Sequence, residues 1–348
     1  MIIPKDLSLR YYELIVHEDC NFRCTYCFDN AFSDREQSSH EPVAMSKEMI
    51  EDLFNFIYNT HADNGNIIIS FFGGEPLLNW NFIENFVLEA KKNFLFPYEF
   101  TINTNASLLN KRIIDFMIEN QFSIAISIDG KKDSHDLNRV DISQKPTWMS
   151  VIKYIPYIIS KIPVAAEMTV TPNNVKYFAK NYDFLYSLGF SEVVVLWQYE
   201  IEATVDYLSE LERQLKIIKK KHVLPPIYKR KISNKAFHQS PGFCFSPRHN
   251  VSIAPNGKIY FCHQLVPKLI ESTNNEYFGD VYDGYYNNEY YEFMSKITEE
   301  LPYEKCKSCP IKHWCKGGCL ASNRIVTGDY KEPNESQCKI HKLLDKII

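Results

Sequence analysis

The stretch YYELIVHEDCNFRCTYC, from Tyr11 to Cys27, decides how the chain is read. YYELIVH is rich in β-branched and aromatic residues and reads as a strand. It ends at His17 and runs into Cys20, Cys24 and Cys27 at the spacing C-x3-C-x2-C, which sets three thiols just beyond the strand. Three thiolates at that reach can grip three corners of a cubane iron–sulfur cluster, whose usual complement is four cysteines, and leave one iron open. An open iron can bind a chelating ligand as an open zinc position does. A zinc site completed by His17 or by a distant residue is the competing reading.

Outward from this stretch, five further apolar runs have strand character: NIIISFF from Asn66, YEFTIN from Tyr98, FSIAISI from Phe122, PVAAEMTV from Pro163 and EVVVLWQ from Glu192. Amphipathic segments separate them: SKEMIEDLFNFIYNT with Ser46 as N-cap, NWNFIENFVLEAKKN, LNKRIIDFMIEN, TWMSVIKYIPYIIS, and NVKYFAKNYDFLYSLG closed by Gly189. Strands alternating with helices imply parallel pairing through right-handed crossovers, in a doubly wound sheet or an incomplete barrel. The strands run into Gly73-Gly74-Glu75-Pro76, Thr104-Asn105, Asp129-Gly130, Thr171-Pro172 and Gln198. Carboxyl ends of strands build the site in both architectures, so the chemistry belongs on that rim.

The 348 residues favour about two domains, or one barrel with an appendage. With 45% apolar and 24% charged residues, the chain is neither disordered nor of low complexity. Lys+Arg 39 against Asp+Glu 43 leaves a net charge of -4, which gives no whole-chain attraction to nucleic acid or membranes. No run approaches a membrane helix, and the N-terminus shows no secretory signal, so a cytoplasmic location is expected. Reduced thiols in that compartment point to metal before disulfides.

From about Val205 the alternation stops. A helix, then Pro225-Pro226 and the basic residues Lys229, Arg230 and Lys231, reads as a bridge over 205–240; the partition is 1–204, 205–240 and 241–348. The basic run suits a solvated linker face better than a contact with nucleic acid. VSIAPNGKIYFC reads as a hairpin about Asn256-Gly257.

The cysteine loop, followed by FFGGEPLLN, NTNAS and SIDG after successive strands, resembles the radical S-adenosylmethionine (SAM) enzymes over residues 10–200. The resemblance implies an α/β fold, a partial (β/α)6 TIM-like barrel. It implies that the iron left open by Cys20, Cys24 and Cys27 binds the amino and carboxylate groups of SAM, and that one-electron reduction yields a 5′-deoxyadenosyl radical that abstracts a substrate hydrogen. In those roles Gly73 and Gly74 admit close backbone approach, and Glu75 accepts from the SAM ammonium. Ser127 and Arg139 correspond to carboxylate and ribose contacts. Asn105 and Asp129 support the ribose or the substrate, and Tyr26, Phe28 and Leu196 contact adenine. Singly, each also reads as a turn, a strand end or core packing.

Seven more cysteines follow: Cys244, Cys262, Cys306, Cys309, Cys315, Cys319 and Cys338. Their spacing resembles the SPASM extension of radical SAM peptide-modifying enzymes, a C-terminal cysteine-rich domain of a β-hairpin, loops and short helices. Zinc held by thiolate pairs is the competing reading. The resemblance implies a distal auxiliary cluster on Cys306, Cys309, Cys315 and Cys338, and a nearer one on Cys319, Cys244 and Cys262. With the SAM-binding cluster that makes three 4Fe–4S clusters. The nearer set has only three thiols, so an iron stays open, or Arg248, His249, His263 or water completes it.

In anaerobic sulfatase maturases, which share this architecture and oxidise Ser or Cys to formylglycine, a carboxylate base follows the Gly-x4-Cys cysteine. Here His263 follows Cys262, a pattern more like the maturases that crosslink ribosomally made peptides. His263 suits a proton acceptor, although a structural histidine beside a cluster is an equal reading. The expectation is a radical SAM oxidoreductase that forms a thioether or carbon-linked crosslink in a peptide, with formylglycine formation and a non-catalytic zinc- or cluster-binding regulator as alternatives. Expected partners are a peptide or protein substrate and a flavodoxin- or ferredoxin-type reductant. Because the first strand begins near Tyr11, any leader recognition is expected from a separate protein or from the bridge and SPASM surfaces.

Overall fold

The computed structural model describes residues 1–28, 42–62, 66–222, 247–266, 276–299 and 303–347. Cys244, the Pro225-Pro226 pair and the basic run from Lys229 to Lys231 lie outside the described residues. Six strands, β1 (Tyr11–His17), β2 (Ile67–Gly73), β3 (Tyr98–Thr104), β4 (Ser123–Ser127), β5 (Val164–Val170) and β6 (Glu192–Trp197), pair in parallel in chain order. β1 buries every residue between its ends and β2 its first five, as strands covered on both faces do. The helices Met49–Thr60, Trp80–Asn93, Lys111–Glu119 and Phe178–Ser187 pack their apolar faces into one core with the strands.

Two local readings are corrected. Ser46 is not the N-cap of the first helix; Glu48 occupies that position without a side-chain capping bond. TWMSVIKYIPYIIS forms two short helices, Trp148–Ile152 and Ile155–Ile159, because Pro156 sits in the first turn of the second and cannot continue a helix from upstream.

The C-terminal part joins the barrel's own sheet. Asn256-Gly257 turns a hairpin between β7 (Asn250–Ile253) and β8 (Lys258–Tyr260), and β7 pairs in parallel with β1, Tyr11 opposite Asn250 and Leu14 opposite Ile253. With β9 (Gly279–Asp280) and β10 (Gly284–Tyr285) the order is β10-β9-β8-β7-β1-β2-β3-β4-β5-β6. β1 is therefore interior, and its second edge, otherwise a row of unpaired backbone groups, is covered. The helix Val205–Lys221, capped by Thr204, packs on the helices Phe178–Ser187 and Glu335–Ile347. No helix among the described residues is long and apolar enough to cross a membrane.

Candidate active site

The cysteine loop is stitched to the rim by backbone bonds. Arg23 N–H donates to the Val140 carbonyl (2.7 Å), and Thr25 N–H to that of Asn138 (2.9 Å). The Thr25 hydroxyl also reaches Asn138 Oδ1 at 3.0 Å. His17 Nδ1 accepts the Asp19 N–H at 2.9 Å, so this ring shapes the loop. The Asn105 amide donates to Asn21 Oδ1 (2.9 Å) and lies 3.7 Å from Cys20 Sγ, while its oxygen accepts from Ser107. Asn105 is thus a clamp on the cysteine loop. Burial raises the Cys24 thiol pKa, and the neighbouring Arg139 opposes that rise.

Gly73 and Gly74 are required by a close approach, but to the chain's own backbone. Gly73 has φ +141°, and a Cβ there would lie 2.3 Å from the His17 carbonyl oxygen; one on Gly74 would lie 2.3 Å from that of Asp19. The pair seats the end of β2 against the start of the cysteine loop. Glu75 follows, nearly fully buried, with Oε1 accepting from Leu77 N–H (3.0 Å) and the Thr104 hydroxyl (2.7 Å), and Oε2 from Asn105 N–H (2.7 Å). Burial pushes its pKa up to about 7 against those three bonds. A carboxylate offers about four acceptor positions, so the three donors leave room for one more, the capacity an ammonium would use.

At the end of β4, Ser127 is half-buried opposite Glu167 of β5. Asp129, with no exposed surface, accepts from Arg139 Nε (3.0 Å), the Tyr26 hydroxyl (2.7 Å) and Thr169 N–H (3.0 Å). The Arg139 guanidinium also lies over the Tyr26 ring, 5.3 Å from its centroid. Burial raises the Tyr26 phenol pKa well above its ordinary value. His135, buried and held neutral by burial, lies with Nδ1 3.4 Å from Asp129 N and Nε2 3.1 Å from the Thr147 hydroxyl. Asp129 therefore positions Arg139. Leu196 is half-buried on β6, in register with Thr169.

His263 is brought to the cysteine loop. Its ring lies 5.3 Å from that of Phe28 and 4.4 Å from that of Phe72, centroid to centroid. Its Nδ1 is 2.9 Å from Oε2 of Glu13, a buried carboxylate on β1 that also accepts from the Ser252 hydroxyl at 2.6 Å. Glu13 was not among the candidates from sequence; a lone carboxylate inside YYELIVH is the signal that marks it. Arg248 and His249 are engaged elsewhere, the first with Asp6 and Glu299, the second with the Ser8 carbonyl at 3.2 Å.

Burial raises the thiol pKa values of Cys262, Cys306, Cys315 and Cys338. Neighbouring thiols add to it: Cys319 acts on Cys262, while Cys306, Cys309 and Cys338 act on Cys315. Cys262 and Cys319 are thus one neighbourhood and the other four a second. Among the described residues, no group of three or more His, Cys, Asp or Glu side chains is already closed around a metal position. Soft sulfur donors gathered in these sets fit iron–sulfur chemistry.

Residues 14–185 match the family model of the Radical SAM superfamily. That stretch is a radical SAM domain, which implies SAM and a 4Fe–4S cluster. It is similar to the radical SAM cyclopropyl synthase TigE of Paramaledivibacter caminithermalis, 23% identical over 97% of this chain and 73% of that protein. It is also similar to a cysteine-type anaerobic sulfatase-maturating enzyme of Clostridium perfringens, 25% identical over 86% of this chain and 85% of that protein. Among solved structures, native anSMEcpe with bound AdoMet has a TM-score of 0.77 at 22% identity, covering 97% of this chain and 96% of that one. SuiB of Streptococcus suis bound to the precursor peptide SuiA has a TM-score of 0.63 at 16% identity, over 95% and 76% of the two chains. These two likenesses establish a common fold.

Proposed function

We propose that this protein is a radical SAM/SPASM maturase that oxidatively modifies a peptide side chain, forming a thioether or carbon-linked crosslink in a ribosomally made peptide. The observation that carries the reading is the contact between Phe28, next to Cys27, and His263, next to Cys262. It supports the reading because it brings the cysteine loop beside the residue that follows Cys262. Bound SAM and its reduced cluster supply the 5′-deoxyadenosyl radical that removes a substrate hydrogen.

The chain's own residues do the rest. Glu75 holds the SAM ammonium; Arg139 and Ser127 take its carboxylate and ribose; Tyr26, Phe28 and Leu196 border the adenine. Cys244, Cys262 and Cys319 hold a nearer auxiliary cluster, and Cys306, Cys309, Cys315 and Cys338 a distal one, to receive the electron the substrate gives up. His263, with Nδ1–H donated to Glu13, presents its other ring nitrogen to the substrate proton. The substrate loses two electrons and two protons in all, one hydrogen to deoxyadenosine and one proton to His263. A flavodoxin or ferredoxin is the reductant.

Anaerobic reconstitution tests the class: roughly twelve irons per chain, in three four-iron clusters, and 5′-deoxyadenosine on adding SAM with a strong reductant are expected. Changing Cys20, Cys24 and Cys27 together to Ala abolishes the nucleoside and leaves roughly eight irons. Mass spectrometry of a co-expressed peptide from a neighbouring reading frame tests the reaction. A peptide lighter by two hydrogens supports crosslinking, whereas conversion of Ser or Cys to an aldehyde makes this a sulfatase-type maturase, in keeping with the Clostridium perfringens relative.

A further inference from the structure

Beyond the ligands themselves, one side chain touches the distal cysteine set and reaches back to the barrel. Cys315 Sγ lies 3.1 Å from Nδ1 of His341, a histidine with no exposed surface. The other ring nitrogen, Nε2, lies 3.0 Å from the hydroxyl of Tyr199. His341 follows Cys338 by three residues on the helix Glu335–Ile347, which puts both on one side of it. The Trp314 ring packs on the imidazole at 5.2 Å, and its Nε1 is fixed by Asp345 at 2.9 Å. Tyr199 lies just past the end of β6, and its carbonyl accepts from Asn334 Nδ2 at 2.9 Å, which docks that rim onto the start of the same helix.

Donor and acceptor roles follow from chemistry. A neutral imidazole carries one hydrogen, on Nδ1 or on Nε2. A metal-bound thiolate only accepts, so that hydrogen sits on Nδ1. Nε2 then accepts, and the Tyr199 hydroxyl donates to it.

We propose that His341 is a tuning residue for the distal auxiliary cluster, its Nδ1–H hydrogen-bonded to the Cys315 thiolate and its tautomer fixed from the barrel rim by Tyr199. This rests on the reading that Cys306, Cys309, Cys315 and Cys338 hold a cluster. Hydrogen bonds to cluster sulfurs stabilise the reduced, more negative state and raise the reduction potential. The pair thus makes the distal cluster a better electron acceptor and ties its potential to the rim where the substrate radical arises.

The test is an EPR-monitored redox titration of the reconstituted full chain, with iron counted in each sample. His341→Phe keeps a ring of similar size and removes the donor. One of three cluster potentials is expected to fall by a tenfold or larger shift in the reduction equilibrium, about 59 mV for one electron, with the other two unmoved. Tyr199→Phe, which leaves the Nδ1 contact with Cys315 in place, should move the same signal in the same direction by less, because Nδ1 and Nε2 then compete for the hydrogen. Unmoved potentials in His341→Phe at full iron content overturn the proposal. If His341→Phe loses iron, Tyr199→Phe decides: no shift of the distal signal overturns it equally. A wild-type chain that binds only about four irons is a separate result, since it removes the auxiliary-cluster reading itself and the proposal with it.

Discussion

Arg139 Nε stands 3.0 Å from Asp129 Oδ1, with the two side chains 7% and 0% exposed, and this buried ion pair joins the cysteine loop to the end of β4. Through Tyr26 and Cys24, Arg139 touches the loop; through Asp129 it is tied to Thr169 on β5. Removing one member of such a pair strands a charge in the interior. Arg139→Met is therefore expected to destabilise the protein by about 3–5 kcal/mol, and the double variant Asp129→Asn/Arg139→Met to recover part of that loss. Chemical denaturation of the three proteins checks it; a single variant as stable as wild type contradicts the pairing.

Glu75 predicts a pH signature. Its pKa rises from the ordinary 4.5 to about 7 through burial, so between those values the folded chain keeps a proton that the unfolded chain has released. Stability then falls as pH rises through this window, by on the order of 3 kcal/mol for this group alone. His341, lowered to about 4, contributes with the opposite sign below pH 6.5, so the comparison must be with a variant. Relative to Glu75→Gln, the wild type is expected to lose stability from pH 4.5 to pH 7, measured by unfolding at several pH values. Parallel curves for the two proteins would remove the argument.

Gly74 gives a prediction about iron. Alanine there would bring its Cβ to 2.3 Å from the Asp19 carbonyl oxygen, a backbone atom that cannot swing aside. The displaced segment is the one that carries Cys20. Gly74→Ala should reconstitute with roughly four fewer irons than wild type and form no 5′-deoxyadenosine, while its remaining clusters are retained. Full iron with normal SAM cleavage would show that the loop tolerates the shift.

The barrel was legible because each parallel strand carries its own signal: YYELIVH and EVVVLWQ name β1 and β6 nearly to the residue. The Asn256-Gly257 turn was legible for the same local reason. Pairing of β7 with β1 was not, since nothing in VSI says which edge it will cover. The rim residues Glu75, Asn105, Asp129 and Arg139 were all marked by sequence, but their partners were not. Asn105 binds the cysteine loop and Asp129 binds Arg139, relations that depend on how separate strands come together. Glu13 and His263, 250 residues apart, meet only because the hairpin docks on β1.

That meeting separates SAM cleavage from substrate oxidation. Glu13 lies 2.9 Å from His263 Nδ1 and close enough to Cys262 for its charge to act on that thiol, so it bears on the substrate-oxidising side of the site. Ser252 and His263 share Glu13 Oε2, so Glu13→Gln with its amide oxygen in that place keeps the size and both bonds and removes the charge that faces the ring. If His263 accepts the substrate proton, 5′-deoxyadenosine should form at close to the wild-type rate while modified peptide falls by on the order of 10². The ratio of nucleoside to product then rises above the wild-type value. Quantifying both in one anaerobic assay gives the answer. An unchanged ratio would assign the Glu13–His263 pair to structure alone, and an equal fall in both products would place it with SAM binding instead.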